Sequence, residues 1–261
     1  MKLIKSKSFA NGSVYALQTD DGFPVEVTDT FLPYYTKDAV GRKQNTLSDA
    51  NLGCRAERWM IGVSCMSGCP VRCKFCATGQ LKKWRSLSAH EIVEQIDFVI
   101  QQNPTYLFTD AMEHKINYTR MGEPFLNIEA VRGAIAIIDA KYPGTHHYIS
   151  TIGLKGSDFS WIKDNITLQV SLHSLDEARR DDLIPISKKM TIKELGEVRT
   201  NSKLKTTVNL TLVDENDFDI KKLKENFDPK DFFIKLSPIN PNPTSEENKM
   251  GEGIINGINI L

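Results

Sequence analysis

Cysteine is the residue whose positions suggest chemistry. Four of the five cysteines fall between Cys65 and Cys76, and three of these, Cys69, Cys73 and Cys76, are spaced C-x-x-x-C-x-x-C with Phe75 just before the last. An odd and tightly clustered set does not make a disulfide framework; in a reducing compartment it points to metal binding or redox chemistry. Three thiolates satisfy three irons of a cubane iron–sulfur cluster and leave the fourth iron open to an exchangeable ligand, a vacancy that four-cysteine ferredoxin sites lack. The alternative is zinc, for which three close cysteines without a nearby fourth Cys or His make a poor closed tetrahedron. Cys54 and Cys65 are the spare thiols.

The elements that must position this loop follow from the pattern around it. Up to about Glu57 the sequence is irregular, with two strand-like runs, Ser13 to Thr19 and Pro24 to Leu32, and then a polar stretch holding Gly41, Arg42, Lys43 and Asn45. From Trp59 onward, strand-like and helix-like segments alternate, the signature of parallel β/α units. A strand from Trp59 to Cys65 runs straight into the cysteine loop. Ser88 with Glu91 three residues later forms a capping box for a helix whose Ile92, Val93, Ile96, Val99 and Ile100 share one face. Further strands are expected at Lys115 to Arg120, His146 to Thr151, Ile166 to Leu172, Thr206 to Val213 and Phe232 to Ser237. Helices are expected at Ile128 to Ala140, around Phe159 to Lys163, after Thr191 and around Ile220 to Glu225, with a short helix and a strand from Gly257 to Leu261 in the last segment. The expected fold class is α/β, a partial (β/α)6 barrel over 58–261 preceded by a small β appendage and loop over 1–57.

The run Gly68-Cys69-Pro70-Val71-Arg72-Cys73-Lys74-Phe75-Cys76-Ala77-Thr78-Gly79 resembles the radical S-adenosylmethionine (SAM) superfamily, and within it the RlmN and Cfr family of RNA adenine methyltransferases. Further segments resemble that family in the same order: Met121-Gly122-Glu123-Pro124, Ser150-Thr151-Ile152-Gly153, Ser171-Leu172-His173-Ser174, Arg180 with Pro185-Ile186-Ser187-Lys188-Lys189, Asn216-Asp217, and Ser237-Pro238-Ile239-Asn240-Pro241. The resemblance implies a 4Fe-4S cluster on Cys69, Cys73 and Cys76 that reductively cleaves SAM to a 5′-deoxyadenosyl radical. It implies SAM contacts from Gly122, Glu123, Ser150, Ser171, Leu172, His173 and Asn240, with Glu123 an anionic acceptor for the SAM ammonium group. The sequence departs from the family in three places. No cysteine follows Cys76, so the family's C-terminal methyl-carrier cysteine has no counterpart; Gly62 stands where a second cysteine is expected; and the nearest N-terminal carboxylate is Glu26, two residues off. Cys65, Cys54 and Glu26 are therefore the residues expected to act on substrate, and radical chemistry is better supported than methyl transfer.

Lys and Arg balance Asp and Glu at 33 each, so no global charge marks a polyanion partner, and any nucleic acid would have to meet a local basic patch. Lys82-Lys83-Trp84-Arg85, with Arg55 and Arg58, offers cations and an aromatic for such a patch, although a solvated basic turn explains the run as well. No apolar run is long enough to span a membrane and no secretory signal opens the sequence, so a cytoplasmic enzyme is expected. The expected substrate is a nucleic-acid base or nucleotide, RNA above all, with reducing equivalents from a flavodoxin or ferredoxin. Two alternatives remain open: a peptide or small metabolite as substrate, or a non-catalytic partner subunit that binds cluster and SAM. A basic surface serving the SAM pocket would favour the nucleic acid.

Overall fold

In the computed structural model the described residues are all but 41, 42, 212–217, 238, 240, 241, 249, 251–253, 256, 257, 260 and 261. Two compact units are built from interleaved segments: Met1–Ser67, Ser86–Gly122 and Asn127–Tyr148 form one, and Gly68–Arg85, Glu123–Leu126 and Ile149–Leu261 form the other.

The first unit holds strands β1 (Lys2–Phe9), β2 (Gly12–Gln18), β3 (Pro24–Leu32), β4 (Arg58–Val63) and β5 (Glu113–Tyr118), adjacent in that order. Pairing is antiparallel from β1 to β4 and parallel between β4 and β5. One face of this sheet is dry. Leu17, Val25, Val27, Trp59, Ile61, Val63, Ile116 and Tyr118 alternate along the strands at 1% exposure or less, and each large apolar side chain so buried contributes roughly 1.5–3 kcal/mol. Helices α1 (Ala89–Gln101) and α2 (Ile128–Lys141) serve that face. The expected capping box of α1 is formed: Ser88 Oγ accepts from the Glu91 N–H and Glu91 Oε2 accepts from the Ser88 N–H at 2.8 Å. Gln95 of α1, fully buried, accepts from the Ser64 N–H and donates to the Ser64 carbonyl, both at 2.9 Å, and so holds the chain where it leaves β4.

Strand β6 (His146–Thr151) starts in the first unit and ends in the second. The second unit continues with β7 (Ile166–Ser171), β8 (Thr206–Thr211) and β9 (Phe232–Ser237), the last three paired in parallel. Helices α3 (Glu177–Leu183), α4 (Ile192–Gly196), α5 (Ile220–Asn226) and α6 (Pro243–Glu247) belong to this unit. Its core joins Val170, Leu172, Val208 and Leu210 of the strands and their ends to Leu195 and Leu223 of the helices.

All six strands expected from Trp59 onward are present. The helix expected around Phe159 to Lys163 is a turn instead: Asp158 Oδ1 accepts from the Ser160 N–H at 2.8 Å, the side-chain competition that favours turns over helices, while Phe159 and Ile162 are buried. Strand β1 and helix α3 were not expected. Of the terminal strand expected at Gly257 to Leu261, only Ile258–Asn259 is strand, and the rest lies outside the described residues.

Candidate functional site

The cysteine loop occupies the start of the second unit and its shape is set by backbone constraints. Gly68 has φ +70°, and a Cβ there would lie 2.7 Å from the Lys83 carbonyl oxygen, so only glycine fits. Arg72, between the first two cysteines, also takes a left-handed conformation, with φ 57°. The Cys76 N–H donates to the Cys73 carbonyl at 3.1 Å, and Gly79 N–H to that of Cys76 at 3.2 Å. The loop is docked from two sides. Lys74 N–H donates to the Leu183 carbonyl at 3.0 Å, Lys74 Nζ pairs with Asp182, and Asn242 and Asn248 donate side-chain N–H to the carbonyls of Phe75 and Lys74.

The three thiols feel one another. Burial pushes the Cys69 thiol up to about 11, with Cys76 and Glu123 adding to the effect, while the Val71 and Arg72 N–H groups oppose it. Burial also raises Cys73, helped by Cys76, Cys69 and Glu123. Among the described residues no three His, Cys, Asp or Glu side chains converge as ligands of a single ion. A cubane cluster takes one thiolate per iron. Three mutually coupled thiols, one facing two N–H groups, suit an iron–sulfur cluster.

Glu123 is 3% exposed, and its carboxylate accepts from Thr151 Oγ at 2.5 Å, Ile152 N–H at 3.0 Å and Phe125 N–H at 3.1 Å. Burial raises its pKa against those three donors. Ser150 and Ser171, at the ends of β6 and β7, place their hydroxyls 3.1 Å apart, and Gln169 donates to Ser150 at 2.8 Å. Leu172 buries its side chain in the core, and its N–H donates to the Asn209 carbonyl at 2.9 Å.

His173 has φ 64° and a buried ring packed edge-on against Phe75, centroids 4.6 Å apart. Its Nδ1 accepts from the Thr211 N–H at 3.1 Å, which in the neutral ring leaves the proton on Nε2. Burial, then Arg180, lowers its pKa to about 3, so the ring is neutral at physiological pH. Arg180 itself is fully buried and donates to the Ile152 and Met190 carbonyls, and its Nε has no partner among the described residues.

Cys69, Cys73, Cys76, Glu123, Ser150, Ser171, Leu172 and His173 all belong to the second unit; Asn240 lies outside the described residues. In the first unit, Gly122 has φ +103°, and a Cβ there would meet Cys65 Sγ at 2.9 Å. Cys65 is 2% exposed, with its thiol directed at the Met121 carbonyl. Cys54 precedes β4, a strand of six residues that spans about 20 Å, and Cys65 follows it. Glu26, on β3, pairs with Arg120, whose Nε donates to it at 2.8 Å. The aliphatic stem of Arg120 lies beside Gly62, where a Cβ would come within 2.4 Å of Thr28 Oγ1 and 3.1 Å of Arg120 Cδ. Arg55 and Arg58 are held inside the first unit, Arg55 on buried Asp29 and Arg58 on Glu113. Thr151, Arg180 and Asn242 hold the site but were not singled out for those roles; only Asn242 carries a sequence signal for its position, as a helix cap before Pro243.

The radical SAM superfamily pattern matches residues 63–226. The chain belongs to the radical SAM superfamily. The relatives to which this radical SAM chain is similar include a "probable dual-specificity RNA methyltransferase RlmN" of Fervidobacterium nodosum, 32% identical over 200 residues that cover 72% of this chain and 56% of the relative. Another of the same name, from Dictyoglomus turgidum, is 38% identical over 146 residues, 52% of this chain and 40% of the relative. The chain spans about half the length of these curated relatives. A crystal structure of a radical SAM methyltransferase from Sphaerobacter thermophilus shares the fold, with a TM-score of 0.68 and 22% identity over 93% of this chain and 68% of that one. Among the described residues no helix is long and apolar enough to cross a membrane.

Proposed function

We propose that this radical SAM enzyme holds a 4Fe-4S cluster on Cys69, Cys73 and Cys76, binds SAM beside it, and modifies a base in RNA. When bound and reduced, the cluster supplies the electron that cleaves SAM to methionine and a 5′-deoxyadenosyl radical. The observation that carries the reading is Glu123, a carboxylate removed from water, fixed by three donors and electrostatically coupled to Cys69 and Cys73. A buried anion of raised pKa is best offset by a cationic ligand group, and the ammonium of SAM is that group. Ser150, Ser171 and neutral His173 add hydroxyl and N–H groups for ribose, carboxylate or adenine, and Asn240 is assigned to the same set by its sequence context. RNA as substrate is supported by the names of the RlmN relatives. Cys65, placed directly after β4, is the spare thiol assigned to substrate chemistry ahead of Cys54, with Glu26 as an accessory carboxylate. A soluble flavodoxin or ferredoxin is the proposed donor of the electron, and the cytoplasm the proposed compartment.

The test is anaerobic reconstitution with iron and sulfide, then reduction with SAM and product analysis. 5′-Deoxyadenosine and methionine are expected from the wild type, and neither product nor the cluster absorbance from Cys73→Ala. Cleavage retained in Cys73→Ala would overturn the assignment. S-adenosylhomocysteine formed in the presence of RNA would extend it to methyl transfer.

A further inference from the structure

The sheet of the first unit has a second face, and its register shows what that face carries. Residues directly opposite in an antiparallel pair point to the same side. On β2, Gln18, Ala16, Val14 and Gly12 alternate on one side, and their partners on β1 are Lys2, Lys5, Lys7 and Phe9. Lys2 and Lys5 are three residues apart and in a regular strand would point to opposite sides. The β1 register shifts between Leu3 and Lys5, and this irregularity brings all three lysines to one side.

The same side continues through Glu26 and Thr28 of β3 and Gly62 of β4 to Asn117 of β5. It is opposite to the helices. Tyr15, Asp29 and Tyr118 are on the other face, where Tyr15 meets Phe98 of α1, Asp29 accepts from Asn103 after α1, and Tyr118 meets His147, itself bonded to Asp139 of α2. From β3 to β5 the lysine side is the wetter one, with Glu26, Thr28 and Asn117 half-buried where Val25, Val27 and Ile116 of the other side are buried, and β1 is exposed on both sides. Its one carboxylate on β3, Glu26, is already paired with Arg120, while β1 carries three cations and no acid. Phe9 is 52% exposed, and Lys7 Nζ lies 5.0 Å from its ring centroid.

We infer that this bulged edge strand is a docking strip for an RNA strand, with Lys2, Lys5 and Lys7 on successive phosphates and Phe9 as a stacking platform; the inference rests on the reading of the enzyme as RNA-modifying. The chemistry fits a single strand: cations track a backbone charged at every nucleotide, and an exposed aromatic at their end accepts any base. Lys5 and Lys7 are about 7 Å apart along the strand and Lys2 to Phe9 spans roughly 20 Å, a reach of a few nucleotides. No other charge on the strand opposes a polyanion.

The test compares the reconstituted wild type with the triple variant Lys2→Gln, Lys5→Gln, Lys7→Gln for binding of a fluorescein-labelled polyadenylate RNA over a salt series. Each phosphate contact adds about 0.7 to the slope of log affinity against log salt for single strands, so the variant's slope should be shallower by about 2, with roughly tenfold weaker binding at low salt. Thermal unfolding and 5′-deoxyadenosine formation without RNA should match the wild type, since the lysines are outside the SAM machinery. An unchanged slope in a variant that folds overturns the strip while leaving the RNA reading in place. Failure of the wild type to bind RNA, with SAM still cleaved, overturns both. Loss of binding to an acidic flavodoxin with an unchanged RNA slope would reassign the strip to a protein partner.

Discussion

At the scale of single residues, Glu123 combines two opposed demands. Its burial raises its pKa, so the charged form that would bind an ammonium group is the form the fold disfavours. The sign follows directly: a carboxylate whose folded pKa lies above its unfolded value weakens the fold at neutral pH, and the weakness is relieved as pH falls through the folded pKa toward the unfolded one. Glu123→Gln keeps the shape while removing the charge. In the ligand-free chain it should raise the unfolding temperature at pH 7 and flatten its rise on acidification, measured by differential scanning calorimetry. In the cluster-loaded enzyme the same variant should weaken SAM binding at least tenfold by equilibrium dialysis, about 1.4 kcal/mol or more. Parallel losses in stability and SAM affinity would mean that Glu123 serves only the fold. Part of this site is legible in sequence, because thiols at fixed spacing and Gly122-Glu123 are chemical statements in themselves. The roles of Thr151, which donates to Glu123, and Arg180, which ties Ile152 to Met190 from a fully buried position, are not, although both residues lie in the matched segments, because nothing in a threonine or an arginine announces burial.

At the scale of elements, α1 shows local and tertiary signals in agreement. Its capping box satisfies end groups that would otherwise be unpaired, and Ile92, Val93, Ile96 and Val99 turn inward. Ser88→Ala should cost about 1 kcal/mol in urea denaturation without changing 5′-deoxyadenosine formed per loaded cluster; a drop in that ratio would tie the cap to the site. Agreement of this kind explains why the six strands and most helices could be read from the sequence. The exceptions have physical causes. Strand β1 is Lys- and Ser-rich and exposed along its whole length, so it lacks the apolar alternation by which a half-buried strand is recognised. Helix α3, EARRDDL, buries only Arg180 and Leu183, too little to show a period. At Phe159 to Lys163, where a helix was expected, Asp158 and Ser160 close a turn with Phe159 and Ile162 buried.

At the scale of the whole molecule, the residues proposed to hold cluster and SAM and those proposed to dock RNA fall largely in different units. The thiols, Glu123, Ser150, Ser171 and His173 belong to one, and the lysine-bearing hairpin to the other. Ligands stabilise the parts they contact, and local opening reports this segment by segment. Loading with iron, sulfide and SAM should therefore slow hydrogen exchange over 68–85 and 149–154 and leave 2–18 unchanged, as read by mass spectrometry of peptides. A uniform change along the chain would refute that division.

Gly62 has an implication for descent and for redesign. Thr28 and Arg120 fill the space that a side chain at position 62 would need, and Arg120 is held there by Glu26. Installing a thiol by Gly62→Cys therefore touches several positions: Thr28 must rotate, and the Arg120 stem that is paired with Glu26 must give by a few tenths of an ångström. Positions 26, 28, 62 and 120 form a coupled set in which the cost of each substitution depends on the others. A lineage moving between a cysteine and a glycine here would travel through paired replacements, and an engineer restoring the thiol should shorten Arg120 in the same step.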